Sequence, residues 1–314
     1  MKRLRRDTRL PELLDYATHR CGLGRCLSYS FFAAGYEDCN VDVLADGGRV
    51  VVKIFAAHRS AGVGERTVTV IERATAAGVA HPRLRTDDFG RALHIDPVSG
   101  HEFIVMDHVS GQNFYDLDRP PNLAELRMIV EQAALIHSID HAPPPVFDPW
   151  AIPNLGPLVR QVASYVDPAD LALVRRAVQA MERVDVTSLP CTLIHGDMTK
   201  GNLIRTDAGT IAVLDFSVAD WRPRIQELAV GAANLMHGDG MPLLLRARLM
   251  ADLYHEHHAL SPTERQAMGA YACAAAAMEF LGATYERHVS GNTGAENDLV
   301  LELGRAGLHS IEER

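Results

Sequence analysis

Residues 192–204 read TLIHGDMTKGNLI: an apolar run ends in His195-Gly196-Asp197, and Asn202 follows five places after the Asp. Thirteen residues further on, Asp215 closes a second apolar run, TIAVLDF. The stretches flanking Asp207-Ala208-Gly209 read as two short strands joined by a turn, and such a hairpin sets Asn202 and Asp215 side by side. One carboxamide and one carboxylate facing a common point form a half-built cage for Mg²⁺, which takes one or two protein oxygens and fills its other positions with water and phosphate. Asp197, off the metal, is then free to orient an attacking hydroxyl and accept its proton. Chemistry on phosphates also needs a cation. Lys53, in RVVVKIF, lies inside an apolar strand where an unpaired ammonium would be costly, so its face must open onto something anionic. Taken singly, each residue has an ordinary structural use: Asp and Asn cap or turn strand ends, His195 reads as a core histidine holding a loop, and Lys53 could snorkel from an edge. The joint pattern is what points to phosphoryl transfer.

These groups need a scaffold. CLSYSFFAA and NVDVLAD are strand-like, and Asp46 to Gly48 makes a hairpin turn into RVVVKIF. A helix is expected from about Gly64 to Ala77, stopped by Gly78 with Pro82 beyond. HEFIVMDHV is a further strand, broken at Gly111. NLAELRMIVEQAALIHSI carries apolar residues at helical spacing. DHAPPPVFDPWAIPN is a Pro-rich loop, and everything from Ile225 onward reads as helical. The expected fold is therefore α+β and bilobal: a small β-rich lobe over residues 1–109, a hinge at about 106–110, and a larger helical lobe over 110–314 carrying an inserted β-hairpin.

Composition excludes several classes. A net charge of -9 gives nucleic-acid binding no electrostatic support. The Ala-rich run AMGAYACAAAAMEFLGA is interrupted by Glu279 and reads as a core helix, so no membrane partner is expected. The basic opening MKRLRR lacks the apolar core and cleavage site of a signal peptide. Five scattered cysteines suit reduced thiols and a cytoplasmic protein.

HGDMTKGN followed by LDFS resembles the catalytic-loop and metal motifs of the aminoglycoside phosphotransferase/choline kinase-like superfamily, small-molecule kinases with the protein-kinase-like fold. The resemblance extends over nearly the whole chain. It implies that Asp197 is the catalytic base, that Asn202 and Asp215 bind magnesium, and that ATP (or GTP) is the phosphoryl donor. It further implies that Lys53 touches the donor phosphates and pairs with a helix Glu. Glu65 and Glu72 are the acids available there, and Glu72 is favoured because Glu65 lies at the helix start. The loop AAGYEDCN, with its one glycine Gly35, would cover the phosphates. FIVMDHVSG matches the hinge, where adenine would bond the carbonyl of Asp107 and the amide of Val109. Gly196 in place of an Arg, DFS in place of Asp-Phe-Gly, and the short run to the next helix separate the chain from protein kinases. Glu227, in QELA, is expected to anchor the catalytic loop.

The acceptor pocket is expected among the helices after Ile225, where twelve Asp and Glu stand against six Lys and Arg. Such a pocket would favour a cationic acceptor: an amino sugar, amino alcohol or amino acid. Glu279, Glu286, Asp298 and His288 are the candidates to line it. HEHH at 255–258 would bring His255 and His258 together on a helix. Lys200, Trp221, Arg222 and Arg224 could steady a phosphoryl group or pack structurally. Two other readings are a catalytically weak nucleotide-binding pseudokinase and a metal-dependent phosphohydrolase using His195, Asp197 and Asp215. The hydrolase leaves Lys53 without a role.

Overall fold

Alternation along the first strands decides which way the sheet faces. The computed structural model describes Leu4 and residues 8–32, 38–238 and 240–311. Helix α1 (Leu10–Arg20) precedes strands β1 (Cys26–Phe31), β2 (Cys39–Ala45) and β3 (Gly48–Ile54). Helix α2 (Val63–Ala76), β4 (Leu84–Arg85), β5 (Leu93–Ile95) and β6 (Glu102–Asp107) follow. The sheet is antiparallel in the order β1–β2–β3–β6–β4, with β5 also on β6. Val50, Val52, Ile54, Phe103 and Val105 pack with Leu13, Leu14 and Ala17 of α1. Ile104 and Met106 belong instead to the core that holds Val70, Ile71 and Ala74 of α2. A period of two therefore puts Lys53, between Val52 and Ile54, on the face away from α1. The β2–β3 turn is Asp46-Gly47, and its register sets Asn40 opposite Lys53.

Helix α1 was not expected. Its signal is in the sequence, since Leu10, Leu13, Leu14 and Ala17 fall on one helical face and the last three are buried.

The remainder is built on helices: α3 (Leu123–His137), α4 (Leu155–Val162), α5 (Pro168–Glu182), α6 (Ile225–Val230), α7 (Leu243–His255), α8 (Pro262–His288) and α9 (Ala295–His309). Short strands interrupt them: β7 (Gly111–Asn113), β8 (Cys191–Ile194), β9 (Leu203–Thr206), β10 (Ile211–Val213) and β11 (Asp220–Pro223). β9 lies between β7 and β10, and β8 pairs with β11. The expected hairpin is thus present, widened by β7. Reciprocal caps start the two helices with the clearest signals, Asn122 with Glu125 on α3 and Ser261 with Glu264 on α8. Helix α8 is the spine. Ala272, Ala274, Ala275, Ala276 and Ala277 are buried on it, and a Cβ at Gly304 of α9 would collide with the backbone of Phe280 and Ala276. Small residues let the two axes approach. The Pro-rich segment is a loop up to the short turn at Ile152–Asn154. No helix among the described residues is long and apolar enough to cross a membrane.

Candidate active site

Strand β8 runs into the catalytic loop, and each of the next three residues is held by a different means. His195 is fully buried. Its Nδ1 accepts the amide N–H of Asp197 at 3.2 Å, which leaves the proton on Nε2, donating to the Leu214 carbonyl at 2.8 Å. Burial lowers its pKa to about 4, so the ring is neutral and structural. Gly196 has φ 87°, and a Cβ there would meet the Val218 carbonyl oxygen at 2.9 Å. Glycine is required on both counts. From below, the buried carboxylate of Glu227 accepts the amides of His195, Gly196 (3.1 Å) and Met198, while burial raises its pKa to about 7. Glu227 anchors the loop as the sequence suggested.

Asp197 emerges from this support half-buried in a cleft of about 410 Å³. Burial, reinforced by the negative charges of Asp215 and Asp148, pushes its pKa well above the carboxylate range. Asn202 Nδ2 donates to Asp197 Oδ2 at 2.7 Å and to the Asp197 carbonyl at 3.0 Å. The hairpin then delivers Asp215. Val213 faces Leu203, and the Leu214 amide donates to the Asn202 carbonyl at 2.8 Å, so the two strand ends lie together as the spacing required. The turn passes through Gly209 at φ 81°. Asp215 itself adopts φ 63°, a left-handed conformation that Asp tolerates better than most residues. Ser217 holds it there, donating from its amide (3.1 Å) and hydroxyl (2.5 Å) to Asp215 Oδ1.

The same Oδ1 lies 2.7 Å from Lys53 Nζ, whose other carboxylate, at 3.1 Å, is Asp38 Oδ2. Burial alone would raise both acids and lower the lysine. The charge pairing outweighs it: Asp38 and Asp215 are held below the ordinary carboxylate range and Lys53 above its usual value. The expected pairing with Glu72 is therefore wrong. Both Glu72 and Glu65 are exposed on α2, because the helix turns Val63, Val70, Ile71 and Ala74 inward and these acids outward. What α2 contributes instead is Arg66, buried, whose guanidinium donates to the carbonyls of Pro144 (2.6 Å), Ser217 (3.2 Å) and Ala219. Gly35 lies outside the described residues. Asp107 and Val109 line the cleft beside Met106, and the Asp107 carboxylate meets Arg85 Nε at 2.5 Å.

On the helical side, Tyr115, Asp148, Trp150, Asn234, Glu279 and Glu296 complete the wall. Burial raises Glu279 to about 7, even with Asn234, Arg246 and Lys200 nearby. Of the other acceptor candidates, Asp298 pairs with Arg287, and His288 stacks on Tyr165 with ring centroids 4.8 Å apart. Lys200 donates from Nζ to the His237 carbonyl (2.9 Å), while Asn234 Oδ1 accepts its amide (2.9 Å), so it ties the loop to the helical body. Arg222 pairs with Asp220, and Arg224 with Glu264. His255 and His258 serve different partners, the Leu260 amide and the Ala134 carbonyl. Among the described residues no group of three or more His, Cys, Asp or Glu could hold a metal ion by itself.

Sequence reasoning missed Asp38, Arg59, Arg66, Asp148 and Asn234. For Asp38 the signal existed: a turn at Asp46-Gly47 fixes Asn40 opposite Lys53, and Asp38, two residues earlier, shares that face.

The chain resembles known proteins in sequence and in fold. The model of the phosphotransferase enzyme family matches residues 28–283. A homoserine kinase from Methylobacillus flagellatus is 22% identical over 251 residues, covering 78% of this chain and 75% of the relative. Spectinomycin phosphotransferase, solved with ADP and spectinomycin, superposes with a TM-score of 0.68 at 12% identity, over 96% of this chain and 94% of its own. Choline kinase from Streptococcus pneumoniae gives 0.66 at 12% identity, over 96% and 100%. The bilobal kinase-like fold is thereby shared. The chain belongs to the phosphotransferase enzyme family and is a small-molecule kinase.

Proposed function

We propose that this kinase transfers the γ-phosphoryl group of ATP, or of GTP, to a hydroxyl of a small molecule, with Asp197 as the base. The observation that carries the reading is convergence. Asp197, Asn202, Asp215 and Lys53 meet in one cleft, with Asn202 bonded to the first acid and Lys53 to the second.

Asp197 has the environment of a proton acceptor. Its raised pKa makes the carboxylate more basic than an exposed Asp, and Asn202 fixes its orientation against the hydroxyl that would enter. Lys53 supplies the cation for the donor phosphates. Magnesium fits the remaining donors. With Asp215 Oδ1 taken by Lys53 and Ser217, and Asn202 Nδ2 by Asp197, the oxygens Asn202 Oδ1 and Asp215 Oδ2 are left as hard ligands. When bound, the ion would neutralise charge on the phosphates. The chain's own part is alignment: it holds the acceptor oxygen, the phosphates and the basic carboxylate in one line of approach. Asp107 and Val109 would present backbone groups to the purine at a hinge over 106–110, between lobes 1–109 and 110–314. Asp148, Glu279 and Glu296 favour an acceptor bearing a cationic amine: an amino sugar, amino alcohol or amino acid. Free thiols at all five cysteines suit a reducing, cytoplasmic setting.

The test is consumption of ATP and of GTP, with Mg²⁺, across a panel of hydroxylated amines, amino acids and aminoglycosides. Transfer to at least one acceptor, with product identified by mass, supports the reading. Acceptor-independent phosphate release from simple phosphomonoesters would replace it with hydrolysis.

A further inference from the structure

The ammonium of Lys53 is buried, and the way it is held decides how the nucleotide site is organised. Helix α2 cannot hold it, since Glu65 and Glu72 are exposed. Asp38 is buried among several donors. Its Oδ1 accepts from the Ala56 amide (3.1 Å) and Arg59 Nε (3.1 Å), and its Oδ2 lies 2.9 Å from the second guanidinium nitrogen of Arg59, 3.1 Å from Lys53 Nζ and 3.3 Å from the Ser217 hydroxyl, which donates to it. Two parallel bonds from a planar guanidinium fix a carboxylate in angle as well as position. We infer that Asp38, braced by Arg59, is the positioning carboxylate of the nucleotide site, holding Lys53 toward the donor phosphates from within the sheet. The inference rests on the proposed kinase reading.

Two features support it beyond the contact itself. Lys53 and Arg59 supply two positive charges, and Asp38 and Asp215 two negative ones, so the cluster balances without a helix carboxylate. Ala56 and Arg59, which brace Asp38, also come from just after β3, whose register already places Lys53 opposite Asn40. Lys53 is thus aimed by one hairpin and the turn that follows it. When phosphates draw the ammonium off Asp215, Asp38 keeps it in the cleft. Arg59, itself lining the cleft, adds a second cation at the wall.

The experiment is calorimetric titration of the full chain with ATP and with GTP in the presence of Mg²⁺, which needs no acceptor, with Tm recorded for each variant. Asp38→Asn keeps the shape and can still accept the Ala56 amide, yet loses the charge. Its dissociation constant should rise about ten- to a hundredfold, and Asp38→Glu should recover most of the loss. A purely structural Asp38 would lower Tm in both variants and leave nucleotide affinity unchanged, which overturns the inference. Glu72→Ala separates the two assignments. Affinity within about twofold of the parent is expected, and a loss matching that of Asp38→Asn would restore the helix carboxylate instead. If Asp38→Asn does not fold, Arg59→Met frees one side of Asp38 without touching Lys53. A several-fold rise then supports the assignment, and an unchanged constant overturns it. A parent chain that binds neither nucleotide overturns the kinase reading and this inference together. A parent that binds while Asp38→Asn binds equally well overturns the inference alone.

Discussion

The two walls of the cleft handle charge in opposite ways. On the sheet side, Lys53 and Arg59 are already matched to Asp38 and Asp215, and the pairing holds both acids below the ordinary carboxylate range. On the helical side, Asp197 and Glu279 are desolvated with too little positive charge around them, so both are pushed upward, Glu279 to about 7. Burial is common to both walls, so burial does not explain the difference. A cation within about 3 Å does. On the proposed reading, the sheet wall meets phosphates with charges that do not titrate near neutrality. The helical wall is made to gain a proton or a cation.

Substitutions can break this contrast, beginning with the largest effect. Asp197→Ala removes the basic group itself. Turnover should fall about a hundredfold to ten-thousandfold while the nucleotide dissociation constant stays close to the parent's, as single-turnover assay beside calorimetry would read. Near-normal turnover would assign the base elsewhere. Lys53→Met leaves Asp215 without its buried cation and Asp38 with Arg59 alone. It should cost about 3–5 kcal/mol in denaturant unfolding and weaken nucleotide binding strongly. The pH dependence of stability follows from the same pairing. The folded values of Asp38 and Asp215 lie below their unfolded ones, so the stability they contribute is present above about pH 4 and drains away as pH falls through the depressed values. In Lys53→Met that depression shrinks to what Arg59 and Ser217 sustain, and acid unfolding should begin at a higher pH.

The helical wall gives smaller effects. Glu279→Gln should raise KM for a cationic acceptor about tenfold while leaving the donor KM alone; an equal effect on both would place Glu279 outside the acceptor pocket. Asp148→Asn sharpens the comparison most finely. Removing a like charge favours ionised Asp197, so the acid limb of the kcat/KM profile should move to lower pH. A limb that stays put would mean Asp148 is not felt at the base.

Much of this was legible from spacing. A hairpin needs only a turn and two short apolar runs, so residues 202 and 215 could be brought together on paper, and the structure closes them through the Leu214 amide and the Asn202 carbonyl. His195 was legible as a core histidine holding its loop, and Glu227 as that loop's anchor through the family resemblance of QELA. The Lys53 partner was not. Resemblance points to a helix carboxylate, whereas the hairpin register carries a carboxylate to the same face from just before β2, at Asp38. Helix α1 was overlooked because a basic opening hid an apolar stripe at 10, 13, 14 and 17. The acceptor wall stayed illegible: Asp148 sits on a Pro-rich loop and Asn234 in a π-helical turn, neither of which has a period to read.

Arg66 reaches from α2 to three main-chain oxygens on two separate segments of the helical body, at Pro144 and at Ser217 and Ala219. Pulling that helix away would strand those acceptors out of reach of water, a penalty the chain avoids only by loosening everything at once. Although it looks bipartite, the protein should therefore melt as one cooperative unit, giving a single calorimetric peak. Arg66→Leu is the change that should split that peak in two.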